Sequence, residues 1–213
     1  MSTPGKEVKN DGMNGEDDII GGQVRGEGQN IRKEMEGRGI EENLDCGLTP
    51  ELEKEWDSMA VRMDAFHSYF REEFSYIYIN ADGRFHTQGL SLSSFLRKAQ
   101  GLSHHLDMHH KIEEIHIFPI LAKKMPQFKV GVRESGEHLK SHKLIHEGLE
   151  NYDSFLSTSL RNPSSYNPTV LRAIMDSFKD VLFKHLDEEV KDLRGESMRA
   201  AGWTLEEFRR IVI

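Results

Sequence analysis

The chain has 213 residues, enough for one ordinary domain and an appendage. Its formal charge of −8 argues against a nucleic-acid surface, which calls for a basic face, and against attraction to anionic lipid. One cysteine, Cys46, excludes an intrachain disulfide and all-cysteine metal sites; with no apolar run long enough to cross a bilayer, and no secretory stretch in MSTPGKEVKN, the expectation is a soluble cytoplasmic protein.

Residues 1–47 contain no Phe, Trp or Tyr and hold ten of the 18 glycines. Such a segment buries too little apolar area to offset the cost of ordering, so it predicts a disordered tail. From residue 48 the pattern is helical. Thr49-Pro50-Glu51 reads as a helix start, and the stripe Leu52, Trp56, Met59, Met63, Phe66, Phe70, Phe74 has core-facing spacing. A loop is predicted at Asn80-Ala81-Asp82-Gly83. The second helix is predicted from about Ser91 to Lys124, with Leu92, Phe95, Leu96, Ala99, Leu102, Ile112 and Ile120 in register. Pro119 should kink it and Pro126 end it. The third runs from about Arg133 to Leu160, the fourth from about Pro168 to Arg194 with Gly195 as its C-cap. A short amphipathic piece, Leu205–Ile213, follows Trp203. These elements predict an all-α fold: an antiparallel up-and-down four-helix bundle over 48–195, with a short C-terminal helix in 196–213.

Each of the four helices carries histidine where its period demands an apolar side chain. The residues are His67, His109 with Glu113, His142 with His146, and His185 with Glu189. Residues four apart share one helix face, so each pair can address a common point between helices. A buried imidazole or carboxylate without a partner is costly, and seven together would destabilise a core unless a metal pairs them. His110 with Glu114, His105, His116 and His138 read as surface or supporting groups, and His86 and His104 as solvent-facing. Imidazole and carboxylate without thiolate suit iron, manganese or zinc, and seven ligands exceed the four of one structural zinc. Two bridged metals about 3.5–4 Å apart would use all seven. Ferritin-like sites need two Glu-x-x-His motifs, and only Glu113 with His116 reads as one.

The segment HHKIEEIHIFPIL, with histidine, glutamate four residues on and a following Phe-Pro, resembles the second-helix motif of the hemerythrin-like family; the resemblance covers about residues 50–195. It implies an up-and-down bundle around a non-haem di-iron centre. By position it implies that His142, His146 and His185 hold one iron, that His67 and His109 hold the other, and that Glu113 and Glu189 bridge them. The second iron would have the open position for dioxygen or peroxide. Oxygen-carrying members place an aspartate five residues after the last-helix histidine, where this chain has Val190; its carboxylate is Glu189, at four. In this the chain is more similar to hemerythrin-like domains of eukaryotic iron sensing and of microbial proteins, and the departure counts against stable reversible oxygenation.

The expected function is therefore a non-haem di-iron protein that binds oxygen, or senses or stores iron. The alternatives are a di-iron oxidase or peroxide-decomposing enzyme, and a metal-free helical interaction protein. No separate sequence element supplies a second substrate site.

Overall fold

Thr49 opens the first helix as expected. Its hydroxyl accepts the Leu52 N–H at 3.3 Å, and Pro50 stands at the first position of α1, Pro50–Trp56. The computed structural model describes residues 48–131 and 135–211; the expected tail at 1–47 and the expected helix start at Arg133 lie outside the described residues. After Asp57 the chain continues as α2, Ser58–Asn80. The two join almost in line, because helical bonds cross the junction from Asp57 N–H to Glu53 O and from Val61 N–H to Asp57 O, each 2.9 Å.

The predicted loop turns on Gly83, whose φ of 99° suits a residue without Cβ. Ser91 then caps α3, Leu92–Ile112, by accepting the Ser94 N–H at 3.1 Å. The second helix was expected to run to Lys124 with a kink at Pro119, and the disturbance takes a different form. Residues Glu113–Ile117 form a π-helical turn, followed by α4, Phe118–Leu121. The cause is Pro119, which has no N–H and whose ring collides with the carbonyl four residues back. One extra residue in the turn relieves this, and the Phe118 N–H bonds to Glu113 O, five residues back.

α5 spans Glu137–Arg161 and α6 spans Pro168–Asp192, the latter capped by Asn167 Oδ1, which accepts the Thr169 and Val170 N–H groups at 2.9 and 3.3 Å. Gly195 is not the C-cap of α6. It begins a further helix, α7, Gly195–Ala200. There a Cβ would stand 2.5 Å from Trp56 Cβ, and the Gly195 N–H donates to Asp57 Oδ1 at 2.8 Å. Glycine therefore serves close approach at this position. The C-terminal piece, α8, Leu205–Arg209, starts with a Thr204–Glu207 capping box.

The described residues are all helical. The long helices α2, α3, α5 and α6 form a four-helix bundle in which α2 and α5 each pack against both α3 and α6. Its interior has two apolar clusters. One joins Phe74, Ile77, Phe95, Leu102, Tyr152, Leu171 and Phe178, and the other joins Trp56, Met59, Met63, Phe118, Phe128, Leu193 and Trp203. Along α2 and α6 the polar residues of interest fall between the two: His67 separates Met63 from Phe70, and His185 and Glu189 separate Leu182 from Leu193.

Two residues of the predicted stripes are not inside. Phe66 is 51% exposed and Ile112 is 47% exposed. Each lies one step around its helix from a buried ligand candidate, His67 or Glu113, so both cannot face the axis.

The tightest helix contact is at Gly148 of α5, where a Cβ would stand 2.5 Å from Phe178 Cβ on α6. Gly148→Ala is expected to cost about 1–3 kcal/mol by overpacking. It should appear as a lower urea midpoint at unchanged slope. An unchanged midpoint would show that α5 and α6 separate freely there.

Candidate metal centre

On α3 the positions of His109, His110 and Glu113 decide the geometry. At 100° per residue, Glu113 projects about 40° from His109 and about 60° from His110, and so lies between them. Both histidines thus flank one carboxylate. His67 of α2 approaches on the His109 side, with the two Nε2 atoms 3.3 Å apart. His142 of α5 and His185 of α6 approach on the other side, their Nε2 atoms 3.1 Å apart, and the His110 ring stacks on His142 with centroids 3.8 Å apart.

Two groups of donor atoms result. His110, Glu113, His142 and His185 form one, and His67, His109, Glu113 and Glu189 the other; within each, all offered atoms lie within 4.8 Å of one another. Glu113 belongs to both. Its Oε1 stands 2.9 Å from His109 Nε2 and its Oε2 stands 3.5 Å from His142 Nε2. Glu189 makes a second span, its Oε2 3.4 Å from His185 Nε2 and 3.6 Å from His67 Nε2. Val190 packs instead against the Trp56 cluster, outside the polar layer.

Neighbouring groups set the imidazole tautomers. His67 Nδ1–H donates to the Leu186 carbonyl at 2.9 Å, and His142 Nδ1–H donates to Glu114 Oε1 at 2.8 Å. In both rings the lone pair is thereby left on Nε2, which faces the donor groups, an arrangement common around metal ligands. Glu114, read from the sequence as a surface or supporting residue, is a supporting one.

The layer does not satisfy itself. Both oxygens of Glu113, both oxygens of Glu189, His110 Nε2 and His185 Nδ1 are buried with no hydrogen-bond partner. Burial pushes Glu113 and Glu189 well above the usual carboxylate range, with further upward pressure from Glu114 on the first and Glu113 on the second. Burial lowers His67 to about 3 and His109 to about 4, and holds His110, His142 and His185 below the ordinary value as well. Unpaired carboxylate oxygens and neutral imidazoles converging in a dry layer fit a bound cation, which would use the orphaned oxygens of Glu113 and Glu189. Uptake would release the carboxyl protons.

Of the seven residues expected from the sequence, six are brought together: His67, His109, Glu113, His142, His185 and Glu189. His146 stands outside both groups; its Nε2 lies 3.4 Å from His110 Nδ1. It projects about 40° around α5 from His142, on the side away from buried Ile145 and Tyr152. His110 stands instead in the group with Glu113, His142 and His185. The signal that could have found His110 is its separation of three from Glu113, an inward spacing as good as four. His138 is buried too, stacked on Phe128 at 4.4 Å with Nε2 bonded to Asp192 at 3.0 Å, while His86, His104, His105 and His116 are exposed.

A sequence-family model described as the Hemerythrin HHE cation binding domain matches residues 58–195. The curated "Dimeric xanthone biosynthesis cluster protein R11" of Cryptosporiopsis sp. (strain 8999) is 28% identical over 132 residues, which is 62% of this chain and 47% of that protein. The chain thus spans about half the length of this curated relative. No solved structure matches.

Proposed function

The chain belongs to the hemerythrin HHE cation-binding family, and on that premise we propose that it is a non-haem di-iron protein that binds dioxygen or peroxide, or senses or stores iron. His110, His142 and His185 would hold one iron, and His67 and His109 the other. Glu113 and Glu189 would bridge them. The observation that carries this reading is the pair of buried carboxylates, each spanning imidazoles of both groups with no hydrogen-bond donor of its own.

An iron pair, when bound, supplies redox chemistry and a Lewis-acidic open position. The chain's own residues orient and seclude it. Leu186 O and Glu114 fix the His67 and His142 rings, and Phe118 stacks on His142 at 5.2 Å on the side of the second apolar cluster. His109 is the one donor residue of the two groups that is not fully buried, so a small ligand would arrive on its side. α2 runs from the second cluster at Met63 to the first at Phe70, the chain returns from Leu106 of α3 to Phe118 of α4, and the end of α6 passes from Leu182 to Leu193, an order that supports an up-and-down antiparallel bundle. A cytoplasmic location, with no nucleic-acid or membrane partner, is part of the same reading; among the described residues no helix is long and apolar enough to cross a membrane.

A second reading, a di-iron oxidase, is favoured by one observation: the relative's name places that protein in a biosynthesis cluster. Metal analysis of the purified full chain tests both readings. Two iron atoms per chain and near-ultraviolet absorption from a bridged pair are the expected result. Two zinc atoms would keep the geometry and discard iron. A chain that also declines ferrous iron added without air would discard the metal centre. Consumption of a reductant with turnover would select the oxidase.

A further inference from the structure

Four of the large apolar side chains left exposed by the fold lie together. Phe66 is 51% exposed, and Tyr69, Met108 and Ile112 are each 47% exposed. They line a cavity of about 540 Å³ between α2 and α3, and two other residues at it are His109 and Glu113 of the candidate metal centre. From this geometry we infer that the α2–α3 cavity is a binding site for an uncharged aromatic small molecule, seated beside the His67–His109 metal position. The inference rests on the metal reading for what lies at its inner end, and on the cavity alone for what it binds.

Size comes first. Small-molecule pockets run to about 300–1,000 Å³, whereas a diatomic ligand needs a small fraction of that. Surface chemistry comes second. The lining offers the rings of Phe66, Tyr69, Phe70 and His109, with Phe70 and His109 centroids 5.0 Å apart and Phe66 and His109 centroids 5.8 Å apart. Flat edges and faces at such angles favour an aromatic guest. Charge comes third. Among the described residues no Lys or Arg lines the cavity, so a counter-charge for an acid would have to come from the metal position at its inner end and not from the walls that seat the ring. Two polar groups at the rim are already engaged: the Tyr69 hydroxyl donates to Glu73 at 2.9 Å, and His105 Nδ1 lies 3.1 Å from the other Glu73 oxygen. That network stiffens the Tyr69 wall.

The test uses the iron-loaded full chain and N-phenyl-1-naphthylamine, a neutral aromatic probe that fluoresces in apolar surroundings. Saturable binding at one site per chain is expected. Neutral 2-naphthol should displace it at least tenfold more effectively than anionic 1-naphthoate. Met108→Glu, and independently Ile112→Gln, should weaken the probe at least tenfold at unchanged iron content. Leu144→Glu, at a 52% exposed position on α5, should leave binding within twofold. The proposal is overturned if the probe does not bind, if Met108→Glu and Ile112→Gln leave its affinity intact, or if 1-naphthoate competes as well as 2-naphthol. It is also overturned if sedimentation shows a dimer that Met108→Glu dissolves, because a second copy then covers the cavity. Iron bound without probe discards the cavity site alone. Probe bound by a chain that takes no metal supports the cavity site and discards the metal reading.

Discussion

Glu113→Ala is expected to strip both metal ions from the protein. This carboxylate alone belongs to both donor groups, with one oxygen 2.9 Å from His109 and the other 3.5 Å from His142. Its loss leaves two cations facing each other with one fewer anion between them. Glu114→Ala removes only the acceptor that orients His142 at 2.8 Å, so metal should remain with an affinity about 10–100-fold weaker. Two histidines on facing helices supply a sharper contrast. His110→Ala should abolish binding at the group it shares with His142 and His185, whereas His146→Ala should be mild, because His146 lies outside both groups. Metal counted per chain by elemental analysis, with competition against a graded series of chelators, reads both contrasts. Loss of metal from His146→Ala with retention by His110→Ala would overthrow the ligand set.

Removing the metal should lower the melting temperature by at least about 5 °C. A ligand present at about 100 times its dissociation constant stabilises by about 2.7 kcal/mol, and a domain of this size shifts by about 2–4 °C per kcal/mol. The metal-free chain also carries the full cost of its orphaned carboxylates. Its pH dependence follows from the imidazoles. Burial drops His67 from 6.5 to about 3 and His109 from 6.5 to about 4. Between those values the unfolded chain binds protons that the folded imidazoles refuse. The raised carboxyls of Glu113 and Glu189 act the other way, but the lowered imidazoles of His67, His109, His110, His142 and His185 outnumber them, so stability falls as pH falls from 6.5 toward about 4. Thermal melts across that window, with and without chelator, check it. Equal melting temperatures with and without metal at pH 7 would show that the polar layer is not where metal binds.

The long helices were legible because each obeys a 3.6-residue period, and the first helical stretch begins at a recognisable cap, Thr49. Six of the seven expected site residues converge for the same reason: an imidazole or carboxylate in an apolar row points inward wherever the row does. The errors arise where one residue decides. His110 was passed over because spacing of four was preferred to spacing of three, although Glu113 reaches both neighbours. Phe66 and Ile112 were assigned to the interior because they are apolar, but each adjoins a residue that owns the axis-facing position. The cavity they border was therefore invisible. Nothing in the local pattern distinguishes an apolar residue on the inner stripe from one at its margin when the stripe itself is polar. The second helix was given a kink at Pro119 because a proline predicts a disturbance without saying whether it takes the form of a kink or an inserted residue.

The π-helical turn at Glu113–Ile117 amounts to one surplus residue in an otherwise α-helical segment. Residues before it and after it are phased differently about the same axis, by roughly 100°. A related chain that lacks the turn can keep both its histidines upstream and its apolar contacts downstream only by losing one position in between. Alignments across this family drawn without a gap at that point would pair residues that face different ways, even where the letters agree. Comparisons of ligand motifs between members should therefore be anchored separately on each side of the turn, and a single-residue gap there should be read as a change of helical winding, not as loss of a site residue.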